Sequence, residues 1–206
     1  MTTIRLDIAD LACRRGGRLV FAGVSLGVGA GEALVVTGRN GAGKSTLLAA
    51  ITGLVRPERG RVAIDAGARP AGEALHLLAH RDGTKAQLTP AENLAFAGAL
   101  LGTGAGAPVA EALRRVGLGP AADLPTGYLS AGQRRRLALA RLLVAPRPLW
   151  LLDEPTSALD SDGQALLEEL MAEHRAAGGA IVAATHAPLP LPGAAHLALG
   201  RPEDAS

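Results

Sequence analysis

Residues 33–54 read ALVVTGRNGAGKSTLLAAITGL, and this stretch decides the fold. ALVVTG is a short apolar run, the pattern of a buried strand. KSTLLAAITGL reads as a helix that Gly53 ends. Between them, Gly38, Arg39, Asn40, Gly41, Ala42, Gly43, Lys44 and Ser45 fit the phosphate-loop pattern at every fixed position, in the strand-to-helix context it requires. The chemistry explains the residue types. Glycines let backbone N–H groups curl around phosphate oxygens, and the helix N-terminus adds favourable dipole charge. Lys44 is expected to neutralise the β- and γ-phosphates of ATP or GTP, Ser45 to ligate Mg²⁺, and Thr46 to touch a further phosphate.

Downstream, PLWLLDEP (148–155) ends an apolar strand on two carboxylates. In a parallel sheet the carboxyl end of such a strand lies beside the phosphate loop. Asp153 is then placed to hold the Mg²⁺ shell, and Glu154 to polarise a water for in-line attack on the γ-phosphate. The rest of the chain follows the same alternation. TIRLDIADLAC and RLVFAGVSLGV read as N-terminal strands, GRVAID, ALHLLAH and GAIVAATH as further strands, and DGQALLEELMAEHRAAG as an amphipathic helix. From Thr84 to Val144 the pattern turns helical, and Thr89, Pro90 and Glu92 form a helix-start signature. GTGAGAP (102–108) reads as a loop. The expectation is an α/β domain with a mainly parallel sheet. Residues 1–83 and 145–206 would form the core, and 84–144 an inserted helical subdomain.

Composition narrows the function. Aromatics are 2% of 206 residues, so aliphatic side chains and glycine must fill the core. The formal charge of +2, with Lys44 and Lys85 the only lysines, offers no basic run interleaved with aromatics, and no nucleic-acid partner is expected. Cys13 is alone, which fits a reducing compartment. The first ten residues lack a signal-peptide pattern, and no apolar stretch of about 18 residues is uninterrupted.

YLSAGQRRRLALARLL (128–143) has no part in a phosphate loop, and it carries the family signal. LSAGQ at 129–133, after a phosphate loop and before LLDEP, SALD and TH, resembles the ATP-binding subunit of ABC transporters over almost the whole chain. The resemblance implies a P-loop NTPase core of ABC type with an N-terminal antiparallel β subdomain, and two subunits packed head to tail. Ser130, Gly132 and Gln133 would serve the nucleotide held by the partner copy, from a helix start whose N–H groups favour an anion. Asp160, in Ser157–Asp160, would line the dimer seam, and His186 would contact the γ-phosphate and the attacking water. The three arginines are expected to be salt-bridged or solvated, His76 to lie in a strand, and His174 to lie on the polar face of a helix.

Two positions depart from the family pattern. Its usual glutamine, between core and helical lobe, falls on His80 or Arg81; Gln87 lies too close to Asn93 to match, and Asp82 or a water could take the metal contact. Its adenine-stacking aromatic falls on Arg15, whose guanidinium either stacks on the base or leaves base recognition weak. The brevity of the chain, HRDGTKAQLTPAENLAF and ATHAPLPL resemble one branch, the ATPase subunit of the bacterial cytochrome c maturation (haem exporter) complex. That branch implies a peripheral ATPase at the cytoplasmic face of the inner membrane, bound to integral membrane subunits, whose ATP turnover drives release of a haem-loaded chaperone or haem export. The competing readings are the ATPase of another small ABC transporter, for a lipid, metal or amino acid, and a soluble ABC-type ATPase.

Overall fold

The three apolar runs singled out above become adjacent strands of one parallel sheet. A computed structural model describes residues 4–102 and 106–200; part of the 102–108 loop and the first three residues therefore lie outside the described residues. In chain order the elements are β1 (Arg5–Arg15), β2 (Arg18–Gly29), β3 (Ala33–Thr37), α1 (Lys44–Ile51), β4 (Arg59–Asp65) and β5 (Leu75–Leu78). There follow α2 (Pro90–Leu101), α3 (Val109–Arg115), α4 (Ala131–Val144), β6 (Leu149–Asp153), α5 (Ser161–Ala176), β7 (Ala180–Ala184) and β8 (Ala195–Ala198).

One compact unit runs to Ala79, takes in Pro148–Pro155 and resumes at Leu170. It contains a three-stranded antiparallel sheet, order β2-β1-β4, and a five-stranded parallel sheet, order β5-β6-β7-β3-β8. Every residue of β6 and β7 is buried, as is all of β3 except its last, which is why these segments read as unbroken apolar runs rather than alternating ones. Leu6 and Leu11 of β1, Phe21 of β2, Leu47 and Leu48 of α1 and Leu151 of β6 share a single core cluster. At roughly 2 kcal/mol for each fully buried Leu, this aliphatic cluster replaces the aromatic core the chain lacks. Strand β8 went unread in the sequence. Its four residues are mostly exposed, and it is recognisable only through its pairing with β3, Leu34 to Ala195 through Thr37 to Ala198.

The second unit comprises His80–Arg147 and Thr156–Glu169. Its first helix starts as the sequence indicates: the Thr89 N–H donates to Glu92 Oε2 at 2.8 Å, and the Glu92 N–H to Thr89 Oγ1 at 3.1 Å. Buried Asn93 ties the preceding loop down: four acceptors, the carbonyls of Lys85, Leu88 and Thr89 and Thr126 Oγ1, lie within hydrogen-bond distance of its amide nitrogen and share its two N–H donors. The sequence had left 156–169 with the core. The structure groups it with the helical unit, where Asp160 pairs with Arg136 of α4 and Glu169 with Arg115 of α3.

His174 also departs from expectation. Rather than lying on a polar helix face, its ring stacks on Trp150 of β6, centroids 3.9 Å apart and planes within 9°. Its Nε2 is buried without a hydrogen-bond partner. Burial pushes its pKa down to about 4, and polar backbone at Ala180 and Pro148 offsets only part of that. Because the folded value lies below the unfolded value of about 6.5, the unfolded chain takes up the proton first as pH falls. Stability should therefore be full above pH ~6.5 and decline by up to about 3 kcal/mol towards pH ~4. Urea titrations of wild type and His174→Gln across this range check it, since the substitution should flatten the dependence.

Candidate active site

Because β7 lies between β6 and β3, the chain leaves three neighbouring parallel strands at the same edge of the sheet. From β3 it enters the glycine-rich loop, from β6 it reaches Asp153 and Glu154, and from β7 it reaches His186. Backbone bonds register these exits: the Glu154 N–H donates to Ala184 O at 2.8 Å, and the Thr185 N–H to Val36 O at 3.0 Å.

The loop's geometry is set by Gly43, the residue preceding α1, whose φ is 101°. A Cβ there would fall 2.5 Å from Val20 Cγ1 and 2.9 Å from Phe21 Cδ1, so β2 packs directly on the loop and only glycine fits. A Cβ on Gly38 would likewise lie 2.5 Å from Leu199 O. No side chain caps the N-terminus of α1, so its first N–H groups are left for another acceptor. Lys44 is buried and its Nζ donates to Gly38 O at 2.8 Å. Ser45 is exposed, Thr46 and Ala42 are buried, and Arg39, Asn40 and Gly41 are on the surface.

Glu154 gathers the cationic groups of this edge. Its Oε1 lies 3.7 Å from Lys44 Nζ, and its Oε2 lies 2.9 Å from His186 Nδ1 and accepts the His186 N–H at 3.4 Å. Burial alone would push the Glu154 carboxyl up; the His186 side chain and N–H, the imidazole's charge and Lys44 together outweigh it and hold the acid below its usual range. The result is an ionised carboxylate, one-sixth exposed, beside an exposed imidazole. Its backbone sits at φ 45°, a left-handed conformation that a non-glycine residue rarely holds. Asp153, the last residue of β6, is buried next to it.

The signature and 157–160 candidates belong to the second unit. Ser130 and Gln133 form a capping box at the start of α4: the Ser130 N–H donates to Gln133 Oε1 at 2.8 Å and the Gln133 N–H to Ser130 Oγ at 3.1 Å. With Gly132, Arg136, Ala158 and Asp160 they line a pocket of about 400 Å³. The arginine triplet is not a uniform solvated run. Arg134 binds Leu129 O, Arg135 is buried against Asp82 at 3.1 Å, and Arg136 meets Asp160 at 2.6 Å. The Arg136 ion pair is the salt-bridged alternative expected for the triplet; what the sequence leaves unread is its place beside the signature, although a position three after Gln133 shares a helix face with it. Asp82 is also the counter-charge for Arg141, so this carboxylate is engaged by arginines and is a poor substitute for the family's glutamine; His80 and Arg81 are exposed. Arg15 is exposed at the tip of the β1–β2 hairpin, opposite Arg18.

The sequence model of the family described as "ABC transporter" matches residues 21–157. The chain belongs to the ABC transporter family. It is 53% identical over 188 residues to the "Cytochrome c biogenesis ATP-binding export protein CcmA" of Rhodopseudomonas palustris (strain HaA2), covering 90% of this chain and 94% of that protein. It is 52% identical over 200 residues to the protein of the same name from Chelativorans sp. (strain BNC1), covering 96% and 98%. Among solved structures, that of an ATP-binding subunit of an ABC transporter shares the fold with a TM-score of 0.84 and 25% identity, covering 97% of this chain and 90% of that one. Family membership makes the chain an ATP-binding protein.

Two outcomes test this geometry. Substituting His186→Ala removes the imidazole bond and charge but keeps the backbone N–H and Lys44, so the carboxyl should titrate higher than in the wild type; NMR of the labelled side chain reads this. The Gly43→Ala change combines a left-handed φ with overlap on Val20 and Phe21, and should lower stability by at least about 2 kcal/mol in denaturant titration.

Proposed function

We propose that this chain is the ATP-hydrolysing subunit of a membrane export complex that serves cytochrome c biogenesis, powering haem export or the release of a haem-loaded chaperone. The observation that carries the hydrolase reading is the Glu154 carboxylate, held ionised between Lys44 and His186 beside an uncapped helix N-terminus. The choice of process rests on the relatives, which are about half identical over nearly their whole length.

The residues fit Mg-ATP. No side chain caps the first N–H groups of α1, and Lys44 Nζ rests on a carbonyl and a carboxylate that phosphate oxygens could replace. Gly38 to Thr46 would cradle the phosphates, with Lys44 on the β- and γ-oxygens. Ser45 and Asp153 would hold Mg²⁺; among the described residues no three His, Cys, Asp or Glu side chains could hold a metal by themselves, which suits an ion that takes phosphate and water oxygens for most of its shell. When bound, Mg²⁺ neutralises charge on the β- and γ-phosphates. Glu154 then orients the attacking water and accepts its proton, while His186 keeps that carboxylate in place and reaches the γ-phosphate.

The core unit would bind nucleotide and the helical unit would present the signature. In a head-to-tail homodimer, Ser130, Gly132, Gln133 and Asp160 of one copy close on the nucleotide of the other. No described helix is long and apolar enough to cross a membrane. Integral membrane subunits would hold the chain peripherally at the cytoplasmic face of the inner membrane.

Glu154→Gln should bind Mg-ATP yet hydrolyse it at least about 100-fold more slowly, so that a dimer accumulates in light scattering. In a host lacking the gene, haem staining should show c-type cytochromes lost, restored by wild type and not by Lys44→Ala. Unchanged staining in the deletion would place the ATPase with another membrane partner.

A further inference from the structure

We propose that Arg136 is a positioning residue: its ion pair with Asp160 fastens the 157–160 loop to the signature helix, so both present to the partner copy's nucleotide as one rim. This rests on the trans-acting reading of the signature given above.

The contacts lie within one unit. The guanidinium of Arg136 reaches Asp160 Oδ1 at 2.6 Å, and the same oxygen accepts the Gly163 N–H at 2.9 Å, capping α5. One turn back along α4, Gly132 leaves no room for a side chain: a Cβ there would fall 2.9 Å from Ala158 O. The loop is therefore flat against the first turn of the helix. Ala158 is held at φ 62°, a conformation that needs surrounding contacts to persist. Arg136 is four-fifths covered, whereas Asp160 is two-thirds exposed. A pair between two free surface chains would matter little. Here the carboxylate is already fixed by its cap and the guanidinium by its cover, so the bond joins two positioned elements. Gly132, Arg136, Ala158 and Asp160 all line the same 400 Å³ pocket. With the pair broken, the helix start would keep its capping box, but Asp160 and the Ala158 backbone would lose their register against it.

The test uses the full chain with Mg-ATP. Variants are Arg136→Gln, Arg136→Lys, Asp160→Asn (which keeps a cap acceptor) and the double Arg136→Gln/Asp160→Asn. Steady-state hydrolysis is measured over a dilution series, beside ATP affinity and melting temperature. The expected result is a kcat about tenfold lower in Arg136→Gln, with ATP affinity and melting nearly unchanged and part of the loss restored by Arg136→Lys. The double variant should be no worse than the poorer single one, since both break one interaction. If the rate is second order in chain but Arg136→Gln matches wild type, or if the two single losses multiply, the positioning role is overturned. A wild-type rate strictly first order across the dilution overturns the trans reading, and the proposal with it. If Arg136→Gln melts early, Asp160→Asn carries the same comparison, and a wild-type kcat in it overturns the proposal.

Discussion

Glu154 is where three strands of the parallel sheet meet chemically, and most of the site depends on that meeting. Its own strand delivers it, β7 delivers His186, and β3 with its loop delivers Lys44. Had the strand order been different, no single carboxylate could reach both groups. The environment is a contest between burial, which favours a proton on the acid, and neighbouring donors, which favour the charge. The donors win, so the residue is an anion that can accept a proton. A left-handed backbone of this kind costs about 1–3 kcal/mol. The Glu154 N–H bond to Ala184 O helps to hold it there.

Core and site share side chains on the opposite edge of the loop. Phe21, one of two phenylalanines, is buried in the main cluster and also fills the space that a Cβ on Gly43 would need. The strand that stabilises the antiparallel sheet thus shapes the phosphate loop as well. In a core made mostly of leucine, valine and alanine, one large rigid ring serves better than several flexible chains to set a backbone to within a few tenths of an ångström.

What could be read from the sequence follows from this. The glycine-rich loop, the carboxylates at the end of β6 and the buried strands were legible because each demands particular residue types at short spacing. The Thr89 cap was legible for the same reason. Strand β8 was not, because AHLA has neither alternation nor an apolar run; only β3 makes it a strand. His174 was misread because helix periodicity says which residues share a face, but not that a tryptophan from β6 waits opposite one of them. Residues 156–169 group with the helical unit through partners that are distant in sequence, Arg136 and Arg115; spacing alone offers both salt-bridged and solvated roles for an arginine run until its acids are located. Asp82 shows the converse, a carboxylate that sequence left available for metal but that arginines have already engaged.

The signature residues pose a sharper question, since local structure alone would select most of them. Ser130 and Gln133 are what a capping box wants, and Gly132 is what the Ala158 carbonyl allows. These needs do not compete with phosphate binding. The Ser130 hydroxyl accepts the Gln133 N–H and keeps its own hydrogen to donate. An uncrowded first turn, with its side-chain acceptors turned inward to their own caps, is what an incoming anion requires.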